Sequence, residues 1–376
     1  MTKAAELAKM GEVLTNSQIG GRRNVIINGA MNVAQRSTSV TGVGDAAGYF
    51  TCDRWKIETN ATAGRATMSQ TADVHDGFAN CLKLDCTTAD TSIAASELFQ
   101  IGYKLEGQDL QQLKKGTSDA ESITISFYTK ANAAFTFGLE VYDNDNTRQM
   151  TKLFTTTTDW VRQELTFPAD TTGALDDDNN LSMFLSFWLH AGSTFAGGTL
   201  ETSFASATNA NRAAGIDSFF SSTDNNFFLT GVQMELGSVA TPFEHRSFGE
   251  ELDLCYRYYN KSPSPHPTSP LGGLQANEAF PMVGNMDGST TGAFMYVFPK
   301  PMRAAPTAIE QSGTASDYSI RVTSDSNGTS VPTATGFTST HCLINLVSSG
   351  AGFTSQTAAF MRMEDADAFV AFDAEL

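Results

Sequence analysis

An all-β protein is predicted: a jelly-roll β-sandwich followed by a smaller β domain, with a short helix at the N-terminus and another between the domains. Three observations carry that prediction. From Asn24 onward, apolar and polar residues alternate at period two in run after run. Turn-rich loops separate those runs, the pattern of an antiparallel sandwich or barrel whose strands each bury one face. Composition agrees: 45 Thr and 33 Ser make up a fifth of the 376 residues, and Phe (26) outnumbers Tyr (9) and Trp (3), a mix suited to pleated, half-buried surfaces. Disorder is excluded, because this much aromatic and β-branched surface can be buried.

Residues 2–18 are expected to form a short helix, with Leu7, Met10 and Leu14 at coiled-coil-like spacing. Gly11 weakens it by about 1 kcal/mol relative to Ala, and Gly20-Gly21 ends it. A helix this short rarely stands alone in water. It docks on its own domain, on sister subunits as a trimer seam built on Leu7, Met10 and Leu14, or on another protein.

The clearest strand is Ile123–Lys130, with Ile123, Ile125 and Phe127 on one face and Thr124, Ser126 and Tyr128 on the other. Phe135, Phe137, Leu139 and Val141 share a face, with Tyr142 opposite. Trp160–Phe167, Leu181–Leu189 and Phe227–Leu236 follow, the last with an apolar face of Phe228, Val232, Met234 and Leu236. A jelly roll ending near Pro242 fits this strand count. In residues 247–260 the period changes: Phe248, Leu252, Cys255 and Tyr259 lie at helical spacing, which predicts one helix of about three turns. Four prolines within Lys261–Pro270 then exclude helix and central strand. Strands resume at Gly292–Phe298, Tyr318–Thr323, His341–Val347, Thr357–Met363 and Ala368–Phe372. The expected division is 1–23 (helix), 24–246 (jelly roll), 247–275 (helix and Pro-rich linker) and 276–376 (C-terminal β domain).

Charge limits the partners. Lys+Arg 24 against Asp+Glu 41 gives a net −17, with no long basic run, so no nucleic-acid partner is expected. No apolar stretch approaches the ~20 residues of a spanning helix, so no membrane insertion is expected. The charged N-terminus does not read as a signal peptide. Five cysteines (Cys52, Cys81, Cys86, Cys255, Cys342) are too few for a disulfide framework in so long a chain. Free thiols and synthesis in a reducing cytoplasm follow.

Catalytic signatures are missing: no G-x-S-x-G, H-E-x-x-H, C-x-x-C or Walker motif occurs. The five histidines are scattered without ligand-like spacing. Asp143-Asn144-Asp145-Asn146 begins like a calcium loop, but Thr147 and Arg148 break the pattern, as in a polar hairpin turn. Asp176, Asp177 and Asp178 offer hard oxygen ligands for calcium, the one cofactor considered; the alternative is a solvated acidic loop. Sugars are bound by aromatic faces flanked by polar side chains. Tyr128, Tyr142 and Trp188, each opposite an apolar face, are therefore the candidate ligand-binding residues. Phe184 lies on the same side as Trp188, with Ser182 and Ser186. Alternatively, a loop or a neighbouring subunit covers this second face.

Asn24–Arg36 (NVIINGAMNVAQR) and Cys52–Trp55 (CDRW) resemble the opening of a large group of bacteriophage tail-fibre and virion-appendage proteins. Phe228–Tyr259 (FLTGVQMELGSVATPFEHRSFGEELDLCYRYY), Phe298–Thr307 (FPKPMRAAPT) and the final DAEL are similar to later segments of that group. In combination these motifs are specific. The resemblance implies a carbohydrate-binding-module-like jelly roll, a homotrimer and a role in attachment to the host surface. The motif residues themselves read as structural: Asn28, Gly29 and Gln35 as strand and turn positions, Arg257 and Tyr258 as helix positions. No ligand residue is carried over from them. Closing strand edges against symmetry mates would also protect a weakly charged β protein from aggregation, and the final strand, Ala368–Leu376, is a candidate interface.

The function expected is that of a structural virion protein, a trimeric tail fibre or appendage made in the host cytoplasm. It would join other tail or virion proteins through its N-terminal segment and bind host-surface polysaccharide or lipopolysaccharide, with the C-terminal domain at the distal tip and no enzymatic activity. Two alternatives stand beside it. One is a virion-associated glycan depolymerase or glycosidase with carboxylates near Asp176–Asp178 or Glu250–Glu251. The other is a head-decorating or connector protein without a ligand.

Overall fold

The computed structural model describes Lys3 and residues 23–262, 279–322, 325–350, 352–365 and 367–376. The expected N-terminal helix with Leu7, Met10 and Leu14, and the proline-rich segment from Pro263, lie outside the described residues. The chain divides into two compact units, Met1–Glu251 with Leu376, and Leu252–Glu375.

Alternation folds the first unit into two antiparallel sheets. One runs, in spatial order, Ser39–Val43, Arg65–Thr71, Cys81–Thr88, Asn226–Leu236, Ile123–Ala131 and Val161–Phe167. The other runs Ala205–Ser206, Arg148–Thr155, Thr136–Asp143, Leu181–Ala191, Leu98–Glu106, Lys56–Asn60 and Gly48–Tyr49. Their inner faces form one core. Ile123, Ile125 and Phe127 enter it from the first sheet, and Phe137, Leu139, Leu185 and Phe187 from the second. Phe127 meets Phe187 edge-on with centroids 5.1 Å apart, a favourable aromatic geometry. The predicted all-β sandwich is the fold observed.

Two details of the strand and helix assignments differ. In Asn226–Leu236 the register shifts between Thr230 and Gln233, at Gly231, whose φ is +62°. This β-bulge inserts an extra residue and flips the faces. Before it Phe227 and Leu229 are in the core; after it Val232 and Met234 are. Phe228 therefore points outward, against the expectation from simple alternation, and lies under the ammonium of Lys130, 4.5 Å from the ring centroid. The second helix covers only Phe248–Cys255. It starts with a capping box in which Ser247 Oγ accepts from Glu250 N and Glu250 Oε2 accepts from Ser247 N, both at 3.3 Å. It stops because Tyr259–Lys261 pairs as a strand with Ala371–Asp373, leaving Arg257 and Tyr258 in the intervening turn rather than in a helix.

The motif residues build one buried polar network in the first unit. Asn28 sits at φ +57°, where Asn is tolerated better than most residues. Its side chain donates to Val33 O and Asp53 O and accepts from Val33 N. Asp53 accepts from Gln35 N and Nε2, and Trp55 Nε1 donates to Asn28 O at 3.0 Å. Glu251 closes the network from the far end of the motif: it accepts from Asn28 N at 2.6 Å and pairs with Arg246 at 3.2 Å. Gly29 is required by close approach, since a Cβ there would lie 2.1 Å from Val232 O.

In the second unit a seven-stranded antiparallel sheet includes, side by side, Tyr318–Arg321, Ala358–Met363, Ala279–Met286, Thr291–Val297, His341–Val347 and Thr333–Thr335. It shares a core with a three-stranded sheet in which Val370–Asp373 is the middle strand, paired with both Tyr259–Lys261 and Glu310–Gln311. The final strand is thus internal, with Val370, Ala371 and Phe372 fully buried, and cannot serve as the free edge expected of it. All five cysteines are buried free thiols. Burial pushes Cys86 up to about 11 and Cys342 up to about 12, far from the range of a reactive thiolate.

Candidate functional site

The outward face of the first unit's seven-stranded sheet gathers most of the candidate side chains. Its middle strand, Leu181–Ala191, sends Leu185, Phe187 and Leu189 into the core and Phe184, Ser186 and Trp188 outward. Register then sets the neighbours. Phe184 lies between Tyr142 and Lys104, and Ser186 between Glu140 and Gly102. Trp188 lies between Gly138 and Gln100, and Lys56 and Glu58 pair with Gly102 and Gln100 one strand further on.

Tyr142 and Phe184 are half-buried. Phe184 lies over Gly102, where a Cβ would stand 2.5 Å from its Cε2 atom; the glycine makes the seat for the ring. Lys104 Nζ is 5.9 Å from the Phe184 centroid and 3.7 Å from Glu58, which also pairs with Lys56 at 2.8 Å. Burial, and then the neighbouring charge of Lys56, hold the Lys104 ammonium below its ordinary pKa. Ser186 Oγ and Gln149 Oε1, both buried, have no hydrogen-bond partner among the described residues, and Gln149 faces Tyr142 across the ladder.

One end of this face is covered. Arg212 reaches in from the loop after Ser193–Ala196 and makes a bidentate pair with the fully buried Glu140, both bonds 2.8 Å. Glu140 also accepts from Trp188 Nε1 at 2.9 Å. The guanidinium lies 4.8 Å from the Tyr142 centroid and 5.2 Å from that of Trp188. Burial pulls the Arg212 pKa down, but the bonds and charge of Glu140 hold it above its ordinary value. Trp188 is 0% exposed, so it offers no face to a ligand, in contrast to the role expected of it. It is the platform on which the loop rests.

Tyr128 lies elsewhere, on the outward face of the six-stranded sheet. His75 is 4.3 Å from its ring centroid and Phe78 5.4 Å, and Phe78 in turn meets Phe243 and His245. The three predicted rings therefore belong to two faces, and the structure brings together only Tyr142 and Trp188.

Several carboxylates of the acidic clusters are taken up by protein partners, Asp178, Asp145, Asp143 and Asp170 among them. Asp176 and Asp177 stand in an exposed turn, where Asp178 accepts from Asn180 N at 2.9 Å and Asp176 N donates to Asp145. The cluster of oxygens around Asp143 and Asp170 belongs to a lysine instead. Lys115 Nζ lies 2.5 Å from Asp143 and 3.1 Å from Asp170, and donates to Thr172 O and Gly173 O. Asp170 also holds Arg148 through two bonds. Among the described residues, Asp90, Glu97 and His190 form a buried group with ligand atoms within 4.8 Å of one another. Here Asp90 accepts from Thr62 Oγ1 and Ala63 N, and His190 lies 3.2 Å from Glu97 and 2.8 Å from Ser218 Oγ. Burial lowers the His190 pKa. Glu251 is committed to Asn28 and Arg246, and Glu250 to the helix cap.

No protein-family model matches this chain, and no curated protein matches it. Solved structures match at a distance. A carbohydrate-binding module, CBM4, is 15% identical over 56% of this chain and 97% of its own, with a TM-score of 0.29. The enzymatically active domain of bacteriophage CBA120 tailspike protein 4 is 10% identical over 57% of this chain and 21% of that chain, with a TM-score of 0.30. The module TmCBM61, in complex with β-1,4-galactotriose, is 12% identical over 57% and 99%, with a TM-score of 0.29.

Sequence patterning located the strands of this face but not its chemistry. Lys104, Lys56, Glu58 and Arg212 are neighbours only through strand register and a loop contact. One signal was available: Gly102 in the middle of the strand Leu98–Glu106, which marks a close approach.

Proposed function

We propose that this chain is a carbohydrate-binding structural protein that does no chemistry, and that its ligand lies on the outward face of the first unit's seven-stranded sheet. The observation that carries this is the half-buried pair Tyr142 and Phe184, flanked by Lys104, Lys56, Glu58 and Arg212. Rings of this kind stack on the apolar face of a sugar while the polar flank bonds its hydroxyls. Glu58 lies between Lys56 and Lys104, and Lys104 Nζ also donates to Leu376 O at 2.9 Å, so the flank offers hydrogen-bonding groups to sugar hydroxyls. The motifs of Asn24–Arg36, Cys52–Trp55 and Phe228–Tyr259 support a finer version. In it the protein is a homotrimeric tail fibre or appendage of a bacteriophage virion, made in the host cytoplasm, that attaches the particle to host-surface polysaccharide or lipopolysaccharide.

Calorimetric titration of the full chain with purified host-surface polysaccharide tests the proposal. Wild type binds, and Phe184→Ala or Tyr142→Ala weakens binding by about tenfold or more, the loss of roughly 1.4 kcal/mol. Binding that both substitutions leave intact would remove the site. Reducing ends that accumulate during the incubation would make the protein an enzyme instead.

A further inference from the structure

Nine large hydrophobic side chains stand exposed among the described residues, and six of them share one surface of the second unit: Val283, Met295, Val297, Leu343, Val347 and Phe360. They all point outward from the seven-stranded sheet, opposite the core residues Phe294, Ile344, Leu346 and Met361. Register aligns four of them across the strands. Phe360 pairs with Val283, Met295 pairs with Leu343, and the Gly284–Phe294 pair sets Val283 beside Met295. The line continues to Arg321 on one side and Thr335 on the other. Val283, Met295 and Val297 are 63%, 61% and 64% exposed. The six side chains together offer on the order of 500 Å² of apolar surface, as large as the largest patch on a typical monomer. That is more than half of the ~800 Å² that each partner of a standard interface buries.

Charge singles out the occupant. The chain carries a net −17, yet Ala279–Met286, Thr291–Val297, His341–Val347 and Ala358–Met363 contain no Asp or Glu, and Arg362 is their one Lys or Arg. Two copies of so acidic a molecule repel each other over most of their surface, and here they do not. A basic partner would be drawn to the acidic surface rather than to this neutral one. We infer that the outward face of the second unit's seven-stranded sheet is an interface between copies of this chain, built on Val283, Met295, Leu343 and Phe360. Sheets pack face to face about 10 Å apart through just such side chains. The inference deepens the oligomeric part of the function proposed above and is independent of its glycan part.

Light scattering on the full chain after size exclusion tests it, with glycan binding measured on the same preparation. Wild type is expected at two or more chain masses. Val283→Lys with Met295→Lys should reduce it to one, with the wild-type unfolding midpoint at high dilution, where copies are apart, while the control Ile93→Lys, an exposed apolar site in the first unit, keeps the wild-type mass. Should the double variant fail to fold, Met295→Gln alone should weaken association by about tenfold, measured by sedimentation. Wild type at one chain mass would overturn the inference and leave the face to a different protein. So would variants that keep the wild-type mass. If such a single chain still bound glycan, only the interface would fall; if multimers formed and lost glycan binding on neither ring substitution, only the glycan site would.

Discussion

The two seven-stranded sheets follow the same alternation and finish their outward faces in opposite ways. In the first unit the face is polar and aromatic, and a loop is tied across one end of it by Arg212 and Glu140. In the second unit the face is apolar and nearly free of charge, and no such strap crosses it among the described residues. A charged pair buried in the first face costs desolvation and returns specificity of shape, since removing either partner strands the other. Six large apolar side chains of the second face stand exposed. On the two readings proposed above, the first is a shaped surface for a polar ligand and the second an unfinished surface that another copy of the chain completes.

Stripping the strap from the first face is the strongest way to break this contrast. Arg212→Ala leaves Glu140 fully buried without its cation and uncovers Trp188. A loss of about 3–5 kcal/mol is expected, read from urea unfolding, with a red shift of tryptophan emission as Trp188 meets water. A loss below about 1 kcal/mol would mean that the loop is held by its backbone bonds alone.

Acid should loosen the same loop more gently. Arg148 donates both to Asp170 and to Phe204 O in the covering segment. Burial alone would raise the Asp170 pKa, but its bonds from Arg148 and Lys115 hold it below the ordinary carboxylate value. A carboxylate depressed in the folded state contributes stability that is complete above its unfolded pKa, about 4, and is lost as pH falls through the lower folded value. The unfolding midpoint should fall on that acid limb, and Asp170→Asn should lower stability at neutral pH and flatten the limb. An acid limb of unchanged slope in the variant would count against this role.

The fold was legible because alternation and turn spacing are local, and so were most strand limits. What alternation cannot show is a bulge. Gly231 reverses the faces of its strand, and Phe228 was misplaced for that reason alone. Trp188 was correctly put on the outward side, yet its burial depends on Arg212, a loop residue whose partner is 72 positions away. Asn28, Gly29 and Gln35 were legible as structural, but Glu251 was not, and the network that joins it to Asn28 and Asp53 meets only in three dimensions. The charge of the candidate site was hidden likewise: Lys104, Lys56 and Glu58 converge by register between strands, and no spacing in the chain announces them.

Binding and folding should separate at Gly102. Valine there favours the strand, but its Cβ would take the place of the Phe184 ring, which must swing aside. Gly102→Val should weaken glycan binding by about tenfold while stability moves by less than about 1 kcal/mol, since a half-buried ring at a free face can relocate cheaply. Retained affinity would show that Phe184 is not seated where the ligand stacks.

The smallest effect is expected where the second face is most exposed, and its smallness is what makes it informative. A buried methionine costs about 2–5 kcal/mol to truncate, because its surroundings lose their contacts. Met295 is 61% exposed and lies in a row of exposed neighbours, so Met295→Gln removes little that the folded chain uses. Denaturant unfolding at high dilution, where copies are apart, should show a change within about 0.5 kcal/mol. The same comparison at high concentration should show the variant less stable than wild type, because mass action adds stability only to the chain that associates. A concentration-independent gap between the two would place the role of Met295 inside the monomer, and the contrast between a finished and an unfinished face would then fail.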